Sequence, residues 1–292
     1  MSVIQALLMG IVQGLTEFLP VSSSGHLAII KALTGVETDG GILYDVLLHF
    51  ATLIVIFIVY YKDVLKLLGE FCGICADCFT NIVRYFKNIS AINPLKYKPI
   101  VTNVYRKLAL MYVVSTIPAV IMGALLSDVL DTVGDNLLVV GFCLLGTGGI
   151  LFLSDTLPLG NKRQKEANYG DAFSVGIGQA FAVLPGLSRS GTTITACMLC
   201  GFDRKFAFKY SFIMSMPAVF GALILELFKI GDATAVTTSG LGCILGMIAA
   251  GGIGYFALKF MDNRISHNSF KPFWIYCLCA GGISLIVFLV KL

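Results

Sequence analysis

The chain reads as an all-α polytopic membrane protein with six transmembrane helices and two re-entrant helix pairs in an inverted-topology repeat. Three observations lead there. Of 292 residues, 57% are hydrophobic and only 13% charged, with a mean hydropathy of +0.87, whereas soluble domains carry about 25% charged residues. Six stretches are apolar over the length of about 20 residues that a bilayer crossing needs. Two further apolar regions break midway at Pro-, Ser- and Gly-rich segments.

The same composition excludes other classes. Scarce charge together with 21 Phe and 11 Tyr rules out intrinsic disorder. A net charge of +4 spread over loops makes no basic face, so nucleic acid is not an expected partner. Nine Cys do not form a disulfide scaffold, because Cys143, Cys197, Cys200, Cys243, Cys277 and Cys279 lie in apolar runs, where free Cys acts as a small hydrophobe. The first eighteen residues lack a basic start and acquire Gln13 and Glu17 where a signal peptide stays apolar, so no cleavable leader is expected.

Along the chain, the first broken region occupies about 3–34 and is interrupted at Leu19-Pro20-Val21-Ser22-Ser23-Ser24-Gly25. Its flanks of about 10 to 15 residues are too short to cross alone, which is the pattern of a re-entrant pair. The spans expected next are 43–61, 108–126 and 137–153. The second broken region, about 171–201, is interrupted at Leu184-Pro185-Gly186-Leu187-Ser188-Arg189-Ser190-Gly191, and spans 208–228, 241–260 and 273–290 follow it.

Loop charge orients these elements. Segment 62–107 holds Lys62, Lys66, Arg84, Lys87, Lys96, Lys98, Arg106 and Lys107 and reads as a long basic cytoplasmic loop. Lys162, Arg163 and Lys165 mark a second basic loop, Arg204 and Lys205 a third, and Lys259, Arg264 and Lys271 a fourth. The remaining loops carry Glu37, Asp39, Asp128, Asp131, Asp135 and Asp232. With the basic loops in the cytoplasm both termini face outward, and the two pairs enter from opposite sides. One membrane domain, 1–292, then divides into halves 1–160 and 171–292. A shift of 166 superposes Gly10, Gln13, Ser22, Ser24 and Gly25 on Gly176, Gln179, Ser188, Ser190 and Gly191. Inverted repeats of this kind place a polar site near the midplane, where broken helices meet.

An ionisable side chain at that depth costs at least about 2.5–3.5 kcal/mol and needs a partner. Glu17, His26 and Arg189 stand at the breaks, with Gln13 four residues from Glu17 on one helix face. A plain reading pairs Glu17 with Arg189 as a tie between halves. A chemical reading starts from Gly186, Ser188, Arg189, Ser190 and Gly191, which open a helix through Thr193. Backbone N–H groups at a helix start favour an anion, and the guanidinium fork matches phosphate oxygens. Ser22, Ser23, Ser24 and Gly25, with His26 behind them, offer a similar cradle, and together the two suit a phosphate ester or diphosphate. Cys72, Cys75 and Cys78 have ligand-like spacing without a fourth ligand nearby. Asp45 and His49 share a helix face, either as a helix-end pair or as part of a site, and His267 falls in a basic loop.

These residues resemble the bacterial undecaprenyl-diphosphate phosphatases of the bacitracin-resistance type over essentially the whole chain. The resemblance rests on Gln13 through His26, on Leu184 through Thr193, and on Tyr44-Asp45-Val46-Leu47-Leu48-His49. It implies hydrolysis of undecaprenyl diphosphate in the bacterial inner membrane, recycling of the lipid carrier for the cell wall, and a divalent metal such as Mg²⁺ or Ca²⁺. The family's acidic pair often has Glu at both ends; here the first is Gln13, so a metal or base role rests on Glu17. Ser23 or Ser22, activated by His26 or Glu17, is one nucleophile, and a metal-bound water is the other. The preferred expectation is a Ser nucleophile with His26 nearby and a site opening outward. The partners expected are a polyprenyl diphosphate lipid and the bilayer, with a homodimer admissible. The rival from another class is an inverted-repeat transporter or flippase of an anionic lipid headgroup.

Overall fold

A computed structural model describes residues 1–35, 41–229, 240–265 and 269–291. Glu37, Asp39, Asp232 and His267 lie outside the described residues. Among the described residues the regular structure is eleven helices with a single isolated β-bridge, Lys162 to Phe202.

The first broken region becomes α1 (Val3–Phe18) and α2 (Ser23–Thr34). Ser2 caps α1, accepting from Gln5 N while the Gln5 side chain accepts from Ser2 N. The helix stops because Leu19 precedes Pro20 and is held extended. The second broken region becomes α7 (Tyr169–Phe181) and α8 (Arg189–Leu199). Asn168 and Asp171 form a capping box at the start of α7.

The six expected spans appear as α3 (Gly41–Val59), α5 (Val104–Val133), α6 (Leu137–Thr156), α9 (Arg204–Lys229), α10 (Gly240–Ile265) and α11 (Lys271–Lys291). Five of these are long and apolar enough to cross a membrane by themselves. The sixth is counted if α3 is taken with α4 (Tyr61–Asn88), from which it is bent by 92°. Segment 62–107 is therefore mostly helix rather than open loop. Its basic residues catch the eye, but the apolar ones recur every three or four positions, which winds the segment into an amphipathic helix.

The broken helices pack against the spans and bring their breaks together. α1 lies along α10, α7 along α5, and α6 along α11. Two contacts require glycine. A Cβ at Gly10 would run into the Gly246 carbonyl of α10, and one at Gly176 would stand 2.6 Å from the Ser115 carbonyl of α5. The main apolar core gathers Phe18, Met111, Phe208 and Phe212 around the inner end of α1.

Candidate active site

The two breaks face each other. Ser22 caps α2 by accepting from Gly25 N at 3.3 Å, and Ser188 caps α8 by accepting from Gly191 N at 3.1 Å. The hydroxyls of Ser22 and Ser24 pair at 3.3 Å, and those of Ser188 and Ser190 at 3.4 Å. The caps thus match at the same spacing of 166 residues. Gly186 has φ +92°, and a Cβ there would also lie 2.6 Å from the Val140 carbonyl, so glycine is required twice over. Its N–H donates to Ser24 Oγ at 3.4 Å, joining one break to the other.

Glu17 is the hub. Its side chain is 5% exposed, and both carboxylate oxygens are engaged. One oxygen pairs with Arg189. The other accepts from Ser23 Oγ at 2.6 Å and from Gln13 Nε2 at 3.0 Å, with His49 Nε2 at 3.6 Å. Five side chains from four helices thus meet on one carboxylate: Gln13, Ser23, His49, Arg189 and Glu17 itself. Within this hub, Gln13 Oε1 and Arg189 Nη1 are buried without a hydrogen-bond partner. The first is a bare acceptor, the second a bare cationic donor.

His26 stands apart from the serine hydroxyls. The Ser22 carbonyl is 2.6 Å from Nδ1 and can only accept, so Nδ1 carries the proton. Nε2 is 2.6 Å from the Tyr276 hydroxyl, and the two rings stack at 5.5 Å. Both ring nitrogens are therefore used away from Ser23, and the group touching the Ser23 hydroxyl is Glu17. Ser22 is the single described non-Gly residue with positive φ, at 71°. Strain of this sort, about 1–3 kcal/mol, persists where neighbours over-determine the backbone. Thr193 Oγ1 is spent on the Arg189 carbonyl at 2.8 Å and on Ser211 Oγ at 2.6 Å, fixing α8 to α9.

Three residues at the site carried little or no weight in the sequence. Thr147 of α6 donates to the Gly186 carbonyl and accepts from Ser188 N, at 3.0 and 2.9 Å, which holds the second break in shape. Tyr276 and Thr147 are isolated polar groups inside spans, and that misplacement was their only signal. His49, one helical turn from Asp45, donates from Nδ1 to the Asp45 carbonyl at 2.8 Å and so turns Nε2 to Glu17. Asp45 itself pairs with Lys31 at 2.6 Å. Among the described residues, no three His, Cys, Asp or Glu side chains cluster as an ion site, and Cys72 and Cys75 are exposed.

The family model described as bacitracin resistance protein BacA matches residues 6–283. The chain belongs to the BacA family. Relatives named undecaprenyl-diphosphatase include one from Methanosphaera stadtmanae, 37% identical over 99% of both chains. One from Alkaliphilus metalliredigens is 37% identical over 98% of both, and one from Desulforudis audaxviator 32% identical over 100% of both. The BacA match takes in both breaks, so Glu17 and Arg189 fall inside it. It also spans every side chain described at the site, from Gln13 of α1 to Tyr276 of α11.

Proposed function

We propose that this BacA-family chain is an integral membrane phosphatase that hydrolyses undecaprenyl diphosphate to undecaprenyl phosphate and inorganic phosphate. It thereby returns the lipid carrier to cell-wall synthesis and gives bacitracin resistance. The relatives' name supports the substrate. The observation that carries the chemistry is the contact of Ser23 with Glu17 beside the unpartnered Nη1 of Arg189.

Phosphoryl transfer is accelerated mainly by positioning and by stabilising charge on the phosphoryl oxygens. Arg189 Nη1 is a donor awaiting such an oxygen, and the starts of α2 and α8 add backbone donors and favourable dipoles. Ser23 Oγ attacks the terminal phosphorus while its proton passes to Glu17 Oε2. The bond from that phosphorus to the bridging oxygen breaks, and undecaprenyl phosphate leaves with the electron pair. Water then displaces Ser23 from phosphorus, Ser23 recovers its proton from Glu17, and inorganic phosphate departs. Gln13 steers Glu17, while His26, fixed by Tyr276, holds the turn that presents Ser23.

The donor set fits a hard cation. Gln13 Oε1 is a buried oxygen lacking a partner, one of the kinds of ligand that Mg²⁺ and Ca²⁺ take, and it adjoins the Glu17 carboxylate. Glu17 and Gln13, with substrate phosphate oxygens, would hold the ion, which when bound neutralises charge on those oxygens.

The proposed layout has six spans and two re-entrant pairs as an inverted repeat within one membrane domain, 1–292, whose halves are 1–160 and 171–292. Both termini face outward in the inner membrane, and the site opens outward. Matching caps at Ser22 and Ser188 support it, as does the placing of Gly10 against α10 and Gly176 against α5. Purified protein in detergent should release phosphate from a long-chain polyprenyl diphosphate, stop on metal chelation, and lose activity with Ser23→Ala. Lipid binding without phosphate release would point to transport of the headgroup instead. An active Ser23→Ala variant would point to direct attack by water.

A further inference from the structure

Helix α4 carries two opposed faces. One is polar and is covered by its own chain. Asn88 accepts from Leu95 N at 2.7 Å, the Arg84 guanidinium donates to the Lys96 carbonyl, and Asn81 both accepts from Lys98 N and donates to its carbonyl at 2.8 Å. Segment 95–103 thus runs back along α4 as a strap. Arg106 at the start of α5 closes it, donating to Glu70 and Asp77 at 3.1 and 2.7 Å.

The opposite face is apolar and open. Leu68, Cys72, Cys75, Phe79, Ile82 and Phe86 recur at alternating intervals of four and three, one stripe of a helix, and all six are exposed. Phe79 and Phe86 are 69% and 66% exposed. Charge is divided unevenly between the faces. Asp63, Glu70 and Asp77 are each paired within the chain, to Lys209, Arg106, and both Arg106 and Lys98. Lys62 and Lys87 are exposed and make no ion pair among the described residues, whereas Lys66 lies over the Tyr105 ring of α5 at 3.8 Å.

We propose that α4 is an interfacial helix that lays this stripe into an anionic bilayer surface. Its place in the chain argues for that occupant. It follows the α3 span after one residue at 92°, so a span along the membrane normal leaves α4 lying in the membrane plane. At about 1.5 Å per residue its 28 residues reach about 40 Å along that plane. Helices with an aromatic and aliphatic face flanked by Lys bury that face about 5–10 Å into the headgroup and acyl boundary. Exposed Ile54, Phe57 and Ile58 of α3 lead through Tyr61 and Leu65 to the start of the stripe at Leu68. The unpaired lysines match anionic headgroups.

Cys75 supplies the probe position. In a variant retaining Cys75 as its single cysteine, an environment-sensitive fluorophore would be attached there and the protein reconstituted in phosphatidylglycerol–phosphatidylcholine vesicles. A second variant would carry the same label at Ser90→Cys, in the turn after α4. At Cys75, the proposal expects blue-shifted emission, at least twofold quenching by acyl-brominated lipid, and severalfold less quenching by iodide than at position 90. Shielding should weaken in vesicles of phosphatidylcholine alone. Equal iodide access at the two positions would overturn the proposal. So would shielding that disappears when lipid is raised tenfold over protein, since a second copy would then be the cover. Phe79→Glu/Phe86→Glu, with retained phosphate release reporting its fold, should restore iodide access at Cys75; unchanged shielding in that active variant would also overturn it.

Discussion

Replacing Glu17 by Gln keeps the shape of the hub and removes its charge and its basic oxygen. If Glu17 takes the Ser23 proton, the loss is that of a general base, about 10²–10⁴ in rate. That equals about 3–5 kcal/mol of barrier, at about 1.4 kcal/mol per decade. Stability should fall less. Breaking a buried ion pair by neutralising one partner costs about 3–5 kcal/mol, but Arg189 is 20% exposed and water can reach it, so about 1–3 kcal/mol is expected. Phosphate release and denaturation of the same detergent-purified variant would be measured together. Groups that act as one unit lose activity non-additively, so Glu17→Gln/Ser23→Ala should be no slower than Ser23→Ala alone. The reasoning is refuted if Glu17→Gln keeps more than a tenth of wild-type turnover. Two independent losses that multiply in the double variant would refute it equally.

Tyr276→Phe removes the hydroxyl from His26 Nε2 but keeps the stacked ring. The variant should unfold about 1 kcal/mol more easily, the order of one hydrogen bond, and turnover should drop up to about 10-fold if His26 holds the turn that presents Ser23. Gly186→Ala meets both positive φ and the Val140 carbonyl; it should destabilise by at least about 2 kcal/mol, read as an earlier denaturation midpoint with lost phosphate release. For the proposed orientation, a lone cysteine at position 40 should react with an impermeant thiol reagent on intact cells, whereas one at Lys165 should react only after permeabilisation. The reverse pattern would invert the layout.

The broken helices were legible because Pro20 and Pro185 interrupt apolar runs at points that Ser and Gly then re-cap. Glu17 and Arg189 were legible as charges needing partners at bilayer depth, and their meeting was one of the two readings open for them. What escaped was orientation of side chains within helices. Nothing in the sequence says that the Thr193 hydroxyl turns to its own helix and to Ser211, or that His26 turns to Tyr276 rather than to a serine. The first choice is made with α9, 18 residues on, and the second by α11, 250 residues away. Helix α4 hid for another reason: its lysines and arginines read as loop charge, while its apolar stripe emerges only when the segment is wound.

The Glu17–Arg189 pair joins positions 172 residues apart in the chain. At a synthesis rate of about 5–20 residues per second, the carboxylate waits about 10–30 seconds for its guanidinium to be made. During that interval the donors beside Glu17 are the neutral groups Gln13 Nε2 and Ser23 Oγ. A nascent first half therefore lacks the cation that Glu17 meets in the finished fold, and the pair closes only when the second half docks. If Glu17 takes the Ser23 proton, catalytic competence is also a report on completed insertion, because the same carboxylate meets its guanidinium only once both halves have arrived.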